Sequence, residues 1–153
     1  MNPVEESVLA DAESDVALAK RTDPSVLIVA NTGTAHNIAH RIHAESARRH
    51  GPWVAIAGGM SSSDDVTASF ERARGGTLFI DDIERLSVWQ QRRLLTLFDV
   101  RVKSAATDGP GLAPRVIAGA SRALVTHLES HRFSDRLFYR LNIIRIDAAA
   151  RRT

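Results

Sequence analysis

The segment "ANTGTAHN", from Ala30 to Asn37, follows the apolar run "SVLIV" and contains one glycine, Gly33. A phosphate-binding loop occupies such a place, and in it backbone amides and a lysine contact the phosphates of a nucleotide. The segment contains no lysine. It predicts either a nucleotide site or a loop that has lost its main phosphate contact. The candidate contact residues are Asn31, Thr32, Gly33, Thr34, Ala35, His36 and Asn37.

Two other polar segments also follow apolar runs. The acidic segment "DDIE" begins at Asp81, after "GGTLFI", and "ASR" at residues 120–122 follows "RVIAG". Because ligands bind at the carboxyl ends of strands in open α/β sheets, the three polar segments are predicted to form one site. This is the layout of a nucleotide-hydrolysing domain. A second interpretation is that Asp81 and Asp82 only end a strand and cap the turn that follows.

The histidines have a spacing that is also found in metal sites. His36 and His40 are four residues apart on a predicted helix, and His127 and His131 repeat this spacing. Such pairs can bind a metal from one helix face. No glutamate of a zinc-protease pattern accompanies the first pair, so solvated helix positions are the other interpretation.

Alternating apolar runs and helical patterns indicate the fold that holds these segments. Short continuous apolar runs are typical of strands that are buried on both faces. Segments with helical periodicity separate them. The alternation predicts an α/β domain with a parallel, helix-covered sheet. The predicted strands are "SVLIVA", "WVAIA", "GGTLFIDDI", "RVIAGAS" and "NIIRI".

The sequence also predicts where several helices begin, end or break. One helix is predicted to start at the capping residues Ser63 and Asp64. The segment "VRVKSAATDGPGLAP", after Asp99, is predicted to be irregular because it is rich in proline and glycine towards its end. A helical stretch at residues 122–141 is expected to break near Arg132.

The composition argues against a membrane-spanning, secreted or disulfide-bonded protein. The 153 residues are 44% apolar and 25% charged, and they include no cysteine. No run approaches the roughly 18 apolar residues of a membrane span, and the acidic N-terminus is not a secretory signal. We therefore expect a cytoplasmic domain without disulfides or membrane contact. The net charge is only +2, and no basic stripe with interleaved aromatic residues is present, so we expect no direct DNA contact.

From Ser25 to Ile146 the chain resembles the AAA+ domain of sigma-54-dependent transcription activators of the NtrC type. The matching segments occur in the same order: "VLIVANTGTAHNIAHRIH", "GPWVAIAG", "GGTLFIDDI", "PRVIAGASRAL" and "HRFSDRLFYRLNIIRI". The resemblance implies a P-loop NTPase-like five-stranded parallel sheet with helices on both faces. We expect a helix at 1–24 leading into the core, the α/β core at 25–146, and a short tail at 147–153, without the helical lid of AAA+ proteins.

The resemblance also implies roles for individual residues. Asp81 matches the aspartate that orders magnesium beside a bound nucleotide, and Asp82 matches the glutamate that polarises the attacking water. Ser121 takes the place of the sensor asparagine. Arg140 matches the second of two arginine fingers, whereas Ser134 replaces the first. An ordinary ion pair is the other interpretation of Arg140.

Several departures from the family pattern point to a degenerate site. Ala30 and Ala35 replace glycines of the loop, and His36 replaces its lysine. The side chain of Asp82 is shorter than glutamate by one methylene, about 1.5 Å. The segment "GGMSSSDDVTASFERAR", between the second and third predicted strands, lacks the "GAFTGA" loop with which members of the family bind the sigma factor.

These departures favour a regulatory or interaction module in transcription control. We expect weak or no binding of ATP or ADP with magnesium, no remodelling of sigma-54, and association with itself or with another AAA+ protein. Two alternatives stay open at this stage. One is a slow ATPase that uses Asp81, Asp82 and Arg140, and the other is a binder of a phosphorylated ligand at Gly33–Asn37.

Overall fold

A computed structural model describes residues 3–59, 63–107 and 113–148. In this part of the chain, five strands alternate with α-helices. The strands are β1 (Val26–Val29), β2 (Trp53–Ala57), β3 (Thr77–Asp81), β4 (Arg115–Ala120) and β5 (Ile144–Asp147). The helices are α1 (Pro3–Arg21), α2 (Thr32–Ala44), α3 (Ser63–Arg72), α4 (Val88–Thr107), α5 (Ala123–Glu129) and α6 (Asp135–Leu141), with a 3₁₀ turn at Ile83–Arg85.

The strands form a single parallel sheet in the order β2-β3-β4-β1-β5, so the predicted architecture is confirmed. In the centre of the sheet, Val26 of β1 is paired with Ile117 of β4 and with Ile144 of β5. All four residues of β1 and all six of β4 are buried, as their continuous apolar sequences predict. Because every strand is parallel, all the carboxyl ends lie at the same edge of the sheet.

The two faces of the sheet are covered by different helices. On one face, α1 and α2 pack with residues such as Val16 and Ile42 against Ile28 of β1. On the other face, the packing involves α3, α4, α5 and α6, for example through Leu94 and Leu137. The helix α1 also packs against β5 and α2, and its residues Ala12, Val16 and Ala19 are buried there.

Three predicted boundaries were wrong. The helix α2 begins at Thr32, inside the segment expected to be a loop. The helix α4 continues to Thr107 through "VRVKSAAT", which was expected to be irregular. This part contains neither glycine nor proline, so it has no residue that would interrupt the helix. Finally, Ser63 and Asp64 lie in the first turn of α3 and do not precede it.

Other predictions about the helices are confirmed. The helical stretch near Arg132 is broken between α5 and α6, where His131 has a positive φ of 59°. In the part of the chain that the structure describes, no helix has the length and apolar character needed to cross a bilayer.

Candidate functional site

The end of β1 leads into a helix with almost no intervening loop. Asn31 is extended, with φ −66° and ψ 152°, and its carbonyl accepts the first helical hydrogen bond from the amide of Ala35 at 3.0 Å. The candidate residues Thr32 to Asn37 therefore belong to the first turns of α2. The amides of a first turn have no partner within the helix and attract anions. They form the amino-terminal end of α2.

The side chain in the position of the lysine, His36, contacts aromatic residues. Its ring lies edge-on to Trp53 of β2 and to Phe79 of β3, with centroid distances of 5.8 and 5.6 Å. His40 lies edge-on to the same Trp53 at 5.1 Å, and Trp53 stacks on Phe79. The four-residue spacing of His36 and His40 therefore places both rings against one tryptophan.

The metal interpretation of the histidines receives no support from this geometry. Among the residues that the structure describes, no group of three or more histidine, cysteine or acidic side chains could hold a metal ion. A third histidine of α2, His43, is buried, and its Nδ1 lies 2.8 Å from Oγ1 of Thr77. Burial lowers the pKa of His43, and the nearby His40 lowers it further.

Asp81 lies at the end of β3, where the first turn of α2 approaches the sheet. Its Oδ1 accepts a hydrogen bond from the amide of Asp82 at 2.9 Å. A Cβ atom on Gly119 of β4 would lie 2.7 Å from this oxygen and 3.2 Å from the Cβ of Ala35. A residue without a side chain is therefore needed at position 119 if the carboxylate is to lie between β4 and α2.

The environment of Asp81 disfavours its negative charge. Burial is the largest cause and raises the pKa of the Asp81 carboxyl group. The hydrogen bond from the Asp82 amide lowers the pKa, whereas the negative charges of Asp82 and Glu84 raise it. A cation near Asp81 would relieve this cost, as magnesium does beside a nucleotide.

Asp82 starts a turn through its backbone. It has the left-handed conformation, with φ 49° and ψ 50°, and its carbonyl accepts a hydrogen bond from the amide of Arg85 at 2.9 Å. The carbonyl also lies close to Gly58, where an added Cβ would be only 2.4 Å away. Asp81 thus ends β3 and Asp82 is the cap residue of the following turn, as the second interpretation of this pair expects, although the Asp82 side chain makes no capping hydrogen bond.

The sequence analysis missed Glu84 as a residue of this site. Glu84 is buried, and its Oε1 accepts hydrogen bonds from the hydroxyl of Ser121 at 2.6 Å and from the Ser121 amide at 3.2 Å. Its other oxygen, Oε2, is buried and has no hydrogen-bond partner in the described residues. The signal in the sequence was the density of acids in "DDIE", but it did not show that the turn directs Glu84 towards β4.

The arginine-finger candidates lie on a different part of the surface. Arg140 of α6 forms an ion pair with Asp99 of α4, which agrees with the second interpretation of this residue. The hydroxyl of Ser134, in the place of the first finger, accepts a hydrogen bond from the amide of Leu137 and caps α6. Within one chain, Arg140 is thus held by α4.

The structure therefore brings together the start of α2, Asp81, and the Ser121–Glu84 pair at the carboxyl ends of β1, β3 and β4. This end of the sheet combines free helix amides with carboxylates. Magnesium is usually held by one or two carboxylates and by the phosphates of a substrate. Asp81 could be one such ligand, and the phosphates of a nucleotide would have to supply others.

Comparison with known proteins connects this arrangement with a family. Residues 60–147 match the sigma-54 interaction domain, which is more than half of the 153 residues. The chain belongs to this family. The matched residues include β3 with its acidic end, β4 and β5.

The curated relatives are longer proteins. The sigma-54-dependent transcriptional activator SfnR of Pseudomonas putida is 32% identical over 145 residues, which cover 80% of this chain and 40% of SfnR. The transcriptional regulatory protein ZraR of Escherichia coli is 30% identical over 161 residues, which cover 91% of this chain and 36% of ZraR. The chain therefore spans less than half of the length of these relatives.

Solved structures confirm the P-loop NTPase fold. NtrX from Brucella abortus, in a complex with ATP, has a TM-score of 0.75 at 19% identity, covering 94% of this chain and 37% of NtrX. The P-loop NTPase domain of a sigma-54 activator from E. coli has a TM-score of 0.68 at 20% identity, covering 93% of this chain and 94% of that domain. At these identities the likeness shows the fold alone.

Proposed function

We propose that this sigma-54 interaction domain is a regulatory or interaction module with weak or no binding of ATP and no remodelling of sigma-54. The observation that carries the proposal is the start of α2. The residues that would surround the phosphates are helical from Thr32, and His36 lies against Trp53 and Phe79. Neither feature suits a loop that encloses a triphosphate.

The chemistry of His36 supports the same proposal. The imidazole of His36 is shorter than a lysine side chain and lies against Trp53 and Phe79, whereas a lysine there would supply a charged hydrogen bond to the phosphates. A hydrogen bond to a charged group contributes about 1.5–3 kcal/mol. Its loss would weaken binding by roughly tenfold to more than a hundredfold. The free amides of the first turn of α2 would retain part of the attraction for phosphate.

An interaction role is supported by apolar side chains on the α4 and α6 side of the sheet. We expect the segment "FSDRLFYRLN" to leave some apolar surface for a partner, because its four apolar residues from Leu137 to Leu141 cannot all point inward from one helix. Leu137 and Leu141 are buried in the core, but Tyr139 is 71% exposed, and Trp89 of α4 is 69% exposed. Large exposed apolar side chains are typical of protein-binding surfaces when they are clustered. The partner that we propose is a second copy or another AAA+ protein.

A slow ATPase is the second candidate function, and the position of Asp81 favours it. Its carboxylate lies beside Gly119 and close to the first turn of α2, where a magnesium ion bound to a nucleotide would need a ligand. NtrX, which has the same fold, is found in complexes with ATP and with ADP. In this candidate function Asp82 would orient the water, but its shorter side chain disfavours efficient hydrolysis.

Calorimetric titration with ATP and magnesium separates the two functions. We expect weak or undetectable binding by the unaltered chain, and partial recovery in the His36→Lys variant because Ala30 and Ala35 remain. His50→Lys, which adds the same charge at an exposed position outside the site, is the matched control. Micromolar affinity of the unaltered chain, with hydrolysis that Asp81→Asn abolishes, would establish the ATPase instead.

A further inference from the structure

A pocket lies at the amino-terminal end of the sheet, where the end of α1 meets the turn after α2 and the turn between α3 and β3. It has a volume of about 460 Å³, which is within the usual range for sites that bind small molecules. Its lining residues include Lys20, Arg21, Asp23, Ala47, Arg48 and Gly75. These segments precede β1, β2 and β3, so the pocket is separate from the candidate site at the carboxyl ends of the strands. We call it the basic pocket.

The basic pocket carries more positive than negative charge. Asp23 accepts hydrogen bonds from Nε and Nη2 of Arg48 at 2.6 and 2.9 Å, so these two charges compensate each other. Lys20 forms an ion pair with Glu45 at 2.9 Å. Arg21 is exposed and forms no ion pair with any residue that the structure describes. The excess positive charge favours an anion as the ligand.

A buried arginine holds part of the pocket lining in a fixed position. The side chain of Arg48 is only 8% exposed, and its Nη1 donates to the carbonyls of Gly76 and Ala113 at 3.1 and 2.9 Å. Together with the pair to Asp23, these hydrogen bonds keep the guanidinium group in one orientation. A pocket that is formed before binding loses little conformational entropy when a ligand enters it.

A second buried arginine adds positive charge at this end of the sheet. Arg115, the first residue of β4, is fully buried and donates through Nε to the carbonyl of Pro24 at 3.0 Å. Burial is the largest cause of the lowered pKa of His43, and the charges of Arg115 and Arg48 lower this pKa further. Salt screens such buried charges less than exposed ones, so they contribute to the attraction of an anion.

The pocket also contains backbone donors. Within the described part of the chain, the amides of Ala47 and Gly75 donate no hydrogen bond. Gly75 has a positive φ of 81°, and a Cβ added to it would meet no atom within 4 Å outside its chain neighbours, so the space beside it is open. Backbone amides next to basic side chains are typical of sites that bind phosphate groups.

We propose that the basic pocket binds a small phosphorylated anion. Arg21 would pair with the phosphate group, and the amides of Ala47 and Gly75 would donate to its oxygens. Phosphate is favoured over a carboxylate because it has a larger charge, about −1.5 to −2 at pH 7, and three acceptor oxygens. The bound anion would join the end of α1 to the turns after α2 and α3. The inference goes beyond the proposed interaction role, because it adds a ligand that stabilises the docking of α1.

An NMR titration with pyrophosphate, at low and constant ionic strength, tests the location of the bound anion. The amide signals of Ala47 and Gly75 should shift as pyrophosphate is added at millimolar concentrations. Inorganic phosphate should produce the same pattern with lower affinity, because it carries less charge. Acetate, a monoanion without a phosphate group, should leave these two signals nearly unchanged.

Variants of exposed arginines test the role of charge. Arg21→Gln should weaken pyrophosphate binding about tenfold, which is the lower end of the effect of losing a charged hydrogen bond. Arg93→Gln is the matched control, since Arg93 is an exposed arginine of α4 that does not line the pocket. Lys20→Gln should have a smaller effect than Arg21→Gln, because Lys20 already pairs with Glu45. Circular dichroism checks that each variant is folded.

Amides of Ala47 and Gly75 that do not respond to pyrophosphate would overturn the inference, as would an equal response to acetate. Shifts confined to the start of α2, or equal affinities of Arg21→Gln and Arg93→Gln, would also overturn it. The proposed function is tested separately by the titration with ATP and magnesium. If that titration detects binding that Arg21→Gln weakens and Asp81→Asn does not, the binding belongs to the basic pocket and supports the inference.

Discussion

At the scale of single residues, His43 links the stability of the domain to pH. Burial lowers the pKa of His43 below its usual value of about 6.5. As the pH falls below about 6.5, the unfolded chain gains a proton that the folded chain does not accept. The free energy of unfolding therefore decreases until the pH reaches the folded-state pKa.

We predict that His43→Asn removes this contribution. The free energy of unfolding, measured by urea titration at several pH values, should fall less between pH of about 7 and 5 than in the unaltered chain. At neutral pH the variant should lose about 1 kcal/mol, because its contact with Thr77 is altered. The exposed His50→Asn is the control, and an equal response of both variants would contradict the prediction.

The raised pKa of Asp81 makes the free energy of unfolding depend on pH in the direction opposite to that of His43. Because burial raises this pKa, the charged carboxylate destabilises the folded state at neutral pH. We predict that Asp81→Asn increases the free energy of unfolding at pH of about 7, provided that its amide oxygen still accepts from the Asp82 amide. The gain should diminish as the pH falls through the folded-state pKa and Asp81 itself becomes protonated.

Thermal unfolding across this pH range measures the effect of Asp81→Asn. Asp11→Asn is a suitable comparison, since Asp11 is exposed on α1 and should produce little change. If Asp81→Asn lowers stability at neutral pH, the hydrogen bond from Asp82 outweighs the cost of the buried charge.

At the scale of elements, α4 begins with a reciprocal cap. The amide of Gln90 donates to the Ser87 hydroxyl at 3.1 Å, and the Ser87 amide donates to Oε1 of Gln90 at 2.8 Å. The sequence pattern of serine followed three residues later by glutamine is the capping box. It explains why α4 starts at Val88, directly after Ser87.

We predict that Ser87→Ala lowers the free energy of unfolding by about 1 kcal/mol, the usual cost of an N-cap. Urea unfolding measures the change. Ser130→Ala is the matched control, because the Ser130 hydroxyl donates to carbonyls of α5 and caps no helix start. A loss from Ser87→Ala no larger than that from Ser130→Ala would show that Gln90 alone sustains the start of α4.

The helix boundaries show which local features the sequence predicts poorly. Gly33 suggested a loop, yet α2 begins one residue before it, and the Asn31 side chain makes no capping hydrogen bond. The helix instead packs on the sheet through the buried Ala35 and Ala39. Tertiary burial thus outweighs the cost of a glycine in the first turn, which is about 1 kcal/mol. The end of α4 was misplaced for a different reason, because the glycine and proline residues of the segment all follow Thr107.

At the scale of the whole molecule, the strands were predictable because most of them are short apolar runs, and β1 and β4 are buried along their whole length. Such runs do not specify which strands are neighbours, because any of them could be buried at any position in the sheet. The predicted strand ends indicated that Asp81 and Ser121 belong to the site. Glu84 contacts Ser121 after a turn that begins at Asp82, where the backbone is left-handed. No spacing rule in the sequence predicts that turn.

The last prediction concerns activity on sigma-54. Between β2 and β3 the chain has only "GGMSSSDDVTASFERARGG", which includes α3. This segment contains no "GAFTGA" sequence that could bind the sigma factor. We predict that this chain does not support open-complex formation by a sigma-54 holoenzyme in the presence of ATP. Permanganate footprinting of a promoter measures strand opening, and an intact activator of the same cell is the positive control.

The same reaction also tests the interaction role. If the chain joins an activator through the surface of α4 and α6, adding it should change the ATPase rate of that activator, and Trp89→Ala should weaken the effect because this exposed side chain borders the surface. Val125→Ala is the matched control, since Val125 is exposed on α5, outside the surface of α4 and α6. Open complexes formed by the chain alone would contradict the first expectation, and an unchanged ATPase rate at every ratio of the two proteins would contradict the second.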